Sequence, residues 1–122
     1  MSHIVTIKTE IRDATAVHSA CQRLKLPPPV HGNHRLFASH VTGLGISLPD
    51  WRFPAVCQLD KGPHHYDNYG GAWGDVRRLD QFRQAYAVEK AKLEARRKGH
   101  SIAEHTLADG SIRLTIQVGG GA

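Results

Sequence analysis

The sequence predicts an α+β fold in which an antiparallel or mixed sheet carries two helices on one face, as in a ferredoxin-like sandwich. Three observations support this prediction: an alternating strand pattern at the start of the chain, two segments with helical spacing, and runs of strand-like residues after each helix. The 122 residues suit one domain, which we place at residues 1–118, followed by a Gly-rich tail at 119–122.

The first elements are a strand and a short helix. Val5 and Ile7 alternate with polar neighbours, which is typical of a strand with one buried face. Asp13 is a suitable N-cap for a helix over residues 13–24, whose apolar residues recur at helical spacing. The prolines at 27–29 prevent this helix from continuing.

In the middle of the chain, the residue pattern predicts a loop at 27–33. Three strands are predicted after it, at 35–41, 44–48 and 53–59. Glycines and aromatic residues dominate the segment 62–74, which predicts a loop. The order of the strands in this region is left open by the sequence.

A long helix is predicted at residues 76–98, with Gly99 at the position that commonly ends helices. Phe82, Tyr86 and Leu93 lie on its apolar stripe and are expected to pack on the sheet, whereas Glu89 falls on the same stripe and does not fit it. Two final strands, at 101–107 and 111–118, flank an Ala-Asp-Gly turn and predict a hairpin.

Several motifs resemble a known family. Residues 1–13 read Met-Ser-His-x-x-Thr-Ile-Lys-Thr-x-Ile-x-Asp, residues 86–88 read Tyr-Ala-Val, and residues 109–114 read Asp-Gly-Ser-Ile-Arg-Leu. In this order they resemble the domain-of-unknown-function 1257 family, the group of hypothetical chloroplast open reading frame 35. The centre of the chain departs from the family, since only Tyr66, Trp73 and Gly74 match there.

The family has no established activity, so the resemblance does not indicate a reaction for this protein. Genes of this family often lie near a gene for an AAA-type ATPase. The resemblance therefore implies an adaptor or assembly role, with such an ATPase as a candidate protein partner.

The formal net charge is +5, and its excess is concentrated in the second helix. From residue 77 to residue 98 there are eight Lys and Arg against three acidic residues. Arg83, Lys90 and Arg97 are expected to be solvent-exposed and could contact nucleic-acid phosphates. The same pattern is also typical of a solvated helix face.

The segment 62–74 contains the strongest candidate for a protein-interaction surface. Tyr66, Tyr69 and Trp73 are spaced by glycines, and such aromatic residues are common at interfaces and at base-stacking surfaces. The alternative is that they only cap the core.

Histidines provide a third candidate site. His31, His34, His64 and His65 are residue types that bind zinc, although no established zinc motif is present. After removal of the initiator methionine, His3 and the free α-amine could together chelate copper or nickel. Apart from these zinc and copper alternatives, no cofactor is predicted.

Catalysis has little support in the sequence. Cys57 could act as a nucleophile with His64 or His65 as its base and Asp67 as the orienting group, but the spacing is common. We expect Cys21 and Cys57 to be reduced and largely buried.

The sequence thus favours a small, basic, non-enzymatic accessory module that binds a protein partner. The first alternative is a nucleic-acid-binding protein that uses the helix at 77–98, and the second is a histidine-based metal site. No signal peptide or membrane-spanning segment is recognisable, so we expect a cytoplasmic protein without membrane contact.

Overall fold

The computed structural model describes the backbone of residues 4–7 and residues 10–118 in full. Its elements in chain order are β1 (Ile4–Ile7), α1 (Ala14–Arg23), β2 (Val30–Arg35), β3 (His40–Ile46), β4 (Ala55–Cys57), β5 (His64–Asp67), a 3₁₀ turn (Tyr69–Gly71), α2 (Val76–Arg97), β6 (Ser101–Thr106) and β7 (Ile112–Gln117). The predicted α+β class is confirmed.

The main sheet has five strands in the order β1-β5-β4-β3-β2, and every neighbouring pair is antiparallel. The segment from β2 to β5 is a meander, and β1 pairs with β5 so that Ile4 lies opposite Asp67. The strand predicted near the start of the chain is confirmed. The predicted facing of Val5 and Ile7 lies outside the described residues.

The helix boundaries follow from local capping. Asp13 accepts a hydrogen bond from the Ala16 N–H at 3.1 Å, and Asp75 accepts one from the Arg77 N–H at 2.9 Å. After α2, Gly99 adopts a φ of 76°, which is the left-handed conformation that ends many helices. Both predicted helices are confirmed, with ends that differ by at most one residue.

One core lies between the helices and the sheet. Phe82 and Leu79 from α2 are fully buried among side chains of α1 and of β3 to β5. The Tyr86 hydroxyl accepts the backbone N–H groups of Arg12 and Asp13, both at 3.1 Å, and thereby joins α2 to the start of α1.

Glu89 lies on the apolar stripe because it has cationic partners there. Its carboxylate is within 3.4 Å of Arg23 and 3.6 Å of Lys92, and its side chain is 15 % exposed. The partner from α1 could not be identified from the sequence of α2.

Two predictions for the middle of the chain are wrong. The predicted loop at 27–33 contains the start of β2, and the predicted strand at 35–41 covers a hairpin turn. In this turn the Leu36 N–H donates to the Ser39 carbonyl at 2.8 Å. β2 is an edge strand whose side chains are polar on both faces, so it lacks the alternation by which a strand is recognised.

A third prediction is wrong because β5 lies inside the segment 62–74, which was predicted to be a loop. Its residues His64 and Asp67 are polar and yet fully buried. The predicted strands at 44–48 and 53–59 correspond to β3, which ends at Ile46, and to the short β4.

The predicted final hairpin is confirmed, and β6 and β7 form a separate two-stranded sheet. It packs on the helices: Gln84 donates to the Gly110 carbonyl at 3.1 Å, and Glu104 pairs with Arg23 at 3.1 Å and with Lys92 at 3.3 Å. The ferredoxin-like arrangement remains a prediction, and the predicted tail at 119–122 lies outside the described residues.

Candidate functional site

An aromatic cluster lies on the surface of the protein. Trp73 is at its centre, with ring-centroid distances of 4.7 Å to Tyr69, 5.0 Å to Phe37 and 5.6 Å to Phe53. The Arg52 guanidinium lies 5.0 Å from the Trp73 ring centroid. We refer to these five residues as the aromatic cluster.

Three separate connections contribute to the aromatic cluster. Phe37 lies in the β2–β3 turn, Arg52 and Phe53 lie between β3 and β4, and the remaining two residues lie between β5 and α2. The Arg52 N–H donates to the Trp73 carbonyl at 2.8 Å, which ties two of these connections together. A guanidinium over an indole face adds a cation–π attraction of about 0.5–1 kcal/mol at an exposed site.

The connection that carries Tyr69 and Trp73 is held by buried polar groups. Asn68 donates through its side chain to the Gly74 carbonyl at 3.1 Å, and its own carbonyl accepts the Trp73 N–H at 2.9 Å. The fully buried Asp67 accepts the Tyr69 N–H at 3.2 Å. These hydrogen bonds hold the backbone that carries the two aromatic rings.

The aromatic cluster combines exposed and packed rings. Phe37 is 43 % exposed and Tyr69 is 46 % exposed, although each ring also contacts Trp73. Tyr66 is only 7 % exposed and packs against Trp51 at 5.5 Å, so the structure separates it from Tyr69 and Trp73. Tyr66 belongs to the core rather than to this surface.

Arg83 is half-buried, contrary to its predicted exposure. Its Nη1 lies 2.7 Å from Asp80, and its Nε donates to Nε2 of the fully buried His64 at 3.1 Å. The predicted burial of Phe82 and Tyr86 on the same helix is confirmed. Arg83 thus lies at the edge of the core and does not project freely into solvent.

The other two candidate phosphate-binding residues form ion pairs. Lys90 lies 3.1 Å from Asp13 and 2.9 Å from Glu94, and Arg97 lies 3.1 Å from Glu94 and 3.6 Å from Asp13. The hydrogen bonds that the Lys90 ammonium donates to Glu94 and Asp13 raise the pKa of Lys90. Much of the positive charge on this helix face is therefore neutralised within the protein.

The candidate zinc ligands lie on strands but point apart. His31 and His34 are three positions apart on β2, and His64 and His65 are consecutive on β5, so each pair projects to opposite sides of the sheet. Within residues 10–118, no group of three or more metal-binding side chains comes together. His3, the candidate copper ligand, lies outside the described residues.

Cys57 and His64 lie directly opposite each other on β4 and β5, and both are buried. Burial, followed by the charge of Cys21, raises the pKa of the Cys57 thiol to about 12, and burial raises that of Cys21 to about 11. The thiols are therefore protonated at neutral pH, which disfavours nucleophilic attack. The prediction of two free, buried cysteines is confirmed.

We expect both cysteines of the native protein to resist thiol reagents. Cys21 and Cys57 should label slowly with a disulfide reagent at pH 8 and quickly once guanidinium unfolds the chain, because exposure restores an ordinary thiol pKa. Mass spectrometry of the labelled protein measures both rates. Rapid labelling of Cys57 in the folded protein would contradict its burial.

No protein-family model matches the chain, and neither a curated protein nor a solved structure is significantly similar to it. The family resemblance described above therefore remains a prediction. In the part of the chain that the structure describes, neither helix combines the length and apolar character needed to cross a membrane.

Proposed function

We propose that this protein is a non-enzymatic accessory module that binds a protein partner through the aromatic cluster. The observation that carries the proposal is the surface contact of Trp73 with three other aromatic rings and with Arg52. Tryptophan, tyrosine and arginine are the residues most enriched among those that dominate binding energy at protein interfaces.

The rigidity of the aromatic cluster favours binding. Side chains that are already ordered lose less conformational entropy when a partner covers them, whereas mobile long side chains lose about 0.5–1.5 kcal/mol each. Tyr69 and Trp73 are held in place by the hydrogen bonds around Asn68 and Asp67. The rings therefore form a prepared apolar surface.

The charge of the protein indicates which partner surface fits. Arg52 lies at the aromatic cluster, and the whole chain carries a net charge of +5. An apolar patch with acidic residues around it would complement both features. The family resemblance adds an AAA-type ATPase as the candidate partner.

The nucleic-acid alternative has less support. A helix face that binds nucleic acid must offer accessible cationic side chains. These side chains replace the counterions that surround the phosphate groups. Lys90 and Arg97 each have two carboxylate partners, and a nucleic acid would have to compete with them. The metal-site alternative remains a prediction that no geometry of the described residues favours.

Truncating the aromatic cluster should release the partner. We expect Trp73→Ala and Tyr69→Ala each to weaken binding at least tenfold, because a removed anchor at an interface commonly costs more than 1 kcal/mol. The measurement is quantitative recovery of bound proteins by the tagged full chain from its source cells. Purified AAA-type ATPase from the same cells provides a direct binding assay.

Leu107→Ala is the matched control, since Leu107 is 41 % exposed, lies outside the aromatic cluster and should leave recovery unchanged. Equal recovery by the wild type and both cluster variants would contradict the proposal. Binding of a random single-stranded oligonucleotide that falls steeply with salt would instead support the nucleic-acid alternative.

A further inference from the structure

The strand β7 leaves one of its edges open. It pairs with β6, and within residues 10–118 its backbone forms no hydrogen bond to any other element. Residues 112–118 read Ile-Arg-Leu-Thr-Ile-Gln-Val, a strict alternation of apolar and polar side chains. An open strand of this composition is a template for pairing with another strand.

The hairpin turn determines which backbone groups face the open edge. The Leu107 N–H donates to the Ser111 carbonyl at 2.8 Å, which makes these residues a hydrogen-bonded pair. Hydrogen-bonded pairs alternate along an antiparallel ladder. The backbone N–H and C=O groups therefore point to β6 at residues 113, 115 and 117. They point to the open edge at residues 112, 114, 116 and 118.

The apolar side chains of the open edge become more exposed toward its end. Ile112 and Leu114 are partly covered, whereas Ile116 is 52 % exposed and Val118 is 81 % exposed. Ile116 and Val118 also present backbone groups at the open edge that have no partner among the described residues. Coverage by another strand would satisfy those groups and bury both side chains.

We propose that β7 pairs with β7 of a second copy of this chain, antiparallel about a two-fold axis at Thr115. Leu114 then lies opposite Ile116 of the partner subunit, and Ile112 lies opposite Val118 of the partner subunit. All four are residues whose backbone groups face outward. The two hairpins join into one four-stranded sheet.

The occupant is a second copy because the strand is self-complementary. In this register every apolar residue faces an apolar residue, and Arg113 lies opposite Gln117 of the partner subunit, so no like charges oppose each other. The open edge of β2 does not share this property. Val30 is its one large apolar residue, and its other residues include Arg35 and two histidines.

The first test is the mass of the 122-residue chain by sedimentation over a range of concentrations. The wild type should approach twice its 13.5 kDa mass as concentration rises, and Ile116→Lys should remain a monomer with unchanged circular dichroism. Val30→Lys is the matched control because Val30 is 61 % exposed on the β2 edge. It should dimerise like the wild type.

The second test reports on the register. At a two-fold axis through a non-hydrogen-bonded pair the Cα atoms are about 4.5 Å apart, within the range for a disulfide. Thr115→Cys should cross-link to its copy under mild oxidation. Arg113→Cys should not, because its copies would be about 14 Å apart.

A wild type that stays monomeric at the highest concentration would overturn the proposal. So would an Ile116→Lys protein that dimerises as the wild type does, which would place the contact elsewhere. A cross-link at Arg113→Cys without one at Thr115→Cys would also overturn it. Native Cys21 and Cys57 are buried and do not interfere with the assay.

Discussion

Replacement of Phe82 by alanine should lower the free energy of unfolding by about 3–5 kcal/mol, because a buried ring is lost and the cavity collapses only partly. Phe82 is fully buried where α2 packs on the sheet and α1. Domains of this size are stable by only about 5–15 kcal/mol, so the variant should lose a large part of its stability.

Phe37→Ala is the matched control, because the same atoms are removed from a ring that is 43 % exposed. We expect it to cost less than about 1 kcal/mol, most of it from the lost contact with Trp73. Urea unfolding followed by circular dichroism measures both. Similar losses for the two variants would show that α2 does not form the centre of the core.

The parts of the fold that were predicted correctly are those encoded by neighbouring residues. Asp13 and Asp75 cap helices through hydrogen bonds that span two or three positions, and Gly99 ends α2 with a positive φ. The final hairpin is fixed by an Asp-Gly turn in which Gly110 has a φ of 88°. Such signals are complete within a few residues.

The strands that were missed depend on distant residues. β5 is fully buried at His64 because β1, β4 and α2 surround it, and Arg83 from α2 donates to its ring. Nothing within the segment 62–74 indicates that two polar residues will be buried. β2 is an edge strand whose polar faces give no periodic signal.

The candidate site shows the same limit. Tyr69 and Trp73 could be recognised in the sequence because they share one loop. Phe37, Arg52 and Phe53 could not, since they reach the aromatic cluster from two other connections. The sequence predicts Tyr66 to lie with Tyr69 and Trp73 because it is close to them along the chain. Its position on β5 instead places its side chain in the core.

The charge of α2 was overestimated for a related reason. A count within the helix finds an excess of basic residues, but Asp13 and Glu104 lie on other elements and pair with Lys90 and Lys92. Net charge limits what a protein can bind, whereas the arrangement of ion pairs determines which cations are accessible.

Asp13 should contribute to stability in two ways, since its side chain caps α1 and also meets two cations of α2. It accepts the Ala16 N–H at 3.1 Å and lies within 3.1 Å of Lys90 and 3.6 Å of Arg97. Burial by itself raises the pKa of Asp13, but the Ala16 N–H and the two cations together hold it below the usual value for an aspartate.

We therefore expect Asp13→Ala to lower the free energy of unfolding by about 2–3 kcal/mol at pH 7, through loss of the cap and of a charge-assisted hydrogen bond. Asp13→Asn keeps a good cap and should recover about half of that loss. The two variants thus separate the contribution of the cap from that of the charge.

The contribution of the charge should depend on pH. A carboxylate whose pKa is lowered by folding stabilises the protein above its unfolded pKa, and this stabilisation is lost as the pH falls through the folded pKa. The difference between the wild type and Asp13→Asn should therefore shrink as the pH falls below the ordinary Asp pKa of about 3.9. Unfolding by urea at each pH measures it. A difference that stays constant over this range would mean that the ion pairs with α2 contribute nothing to folding, and that Asp13 acts only as a cap.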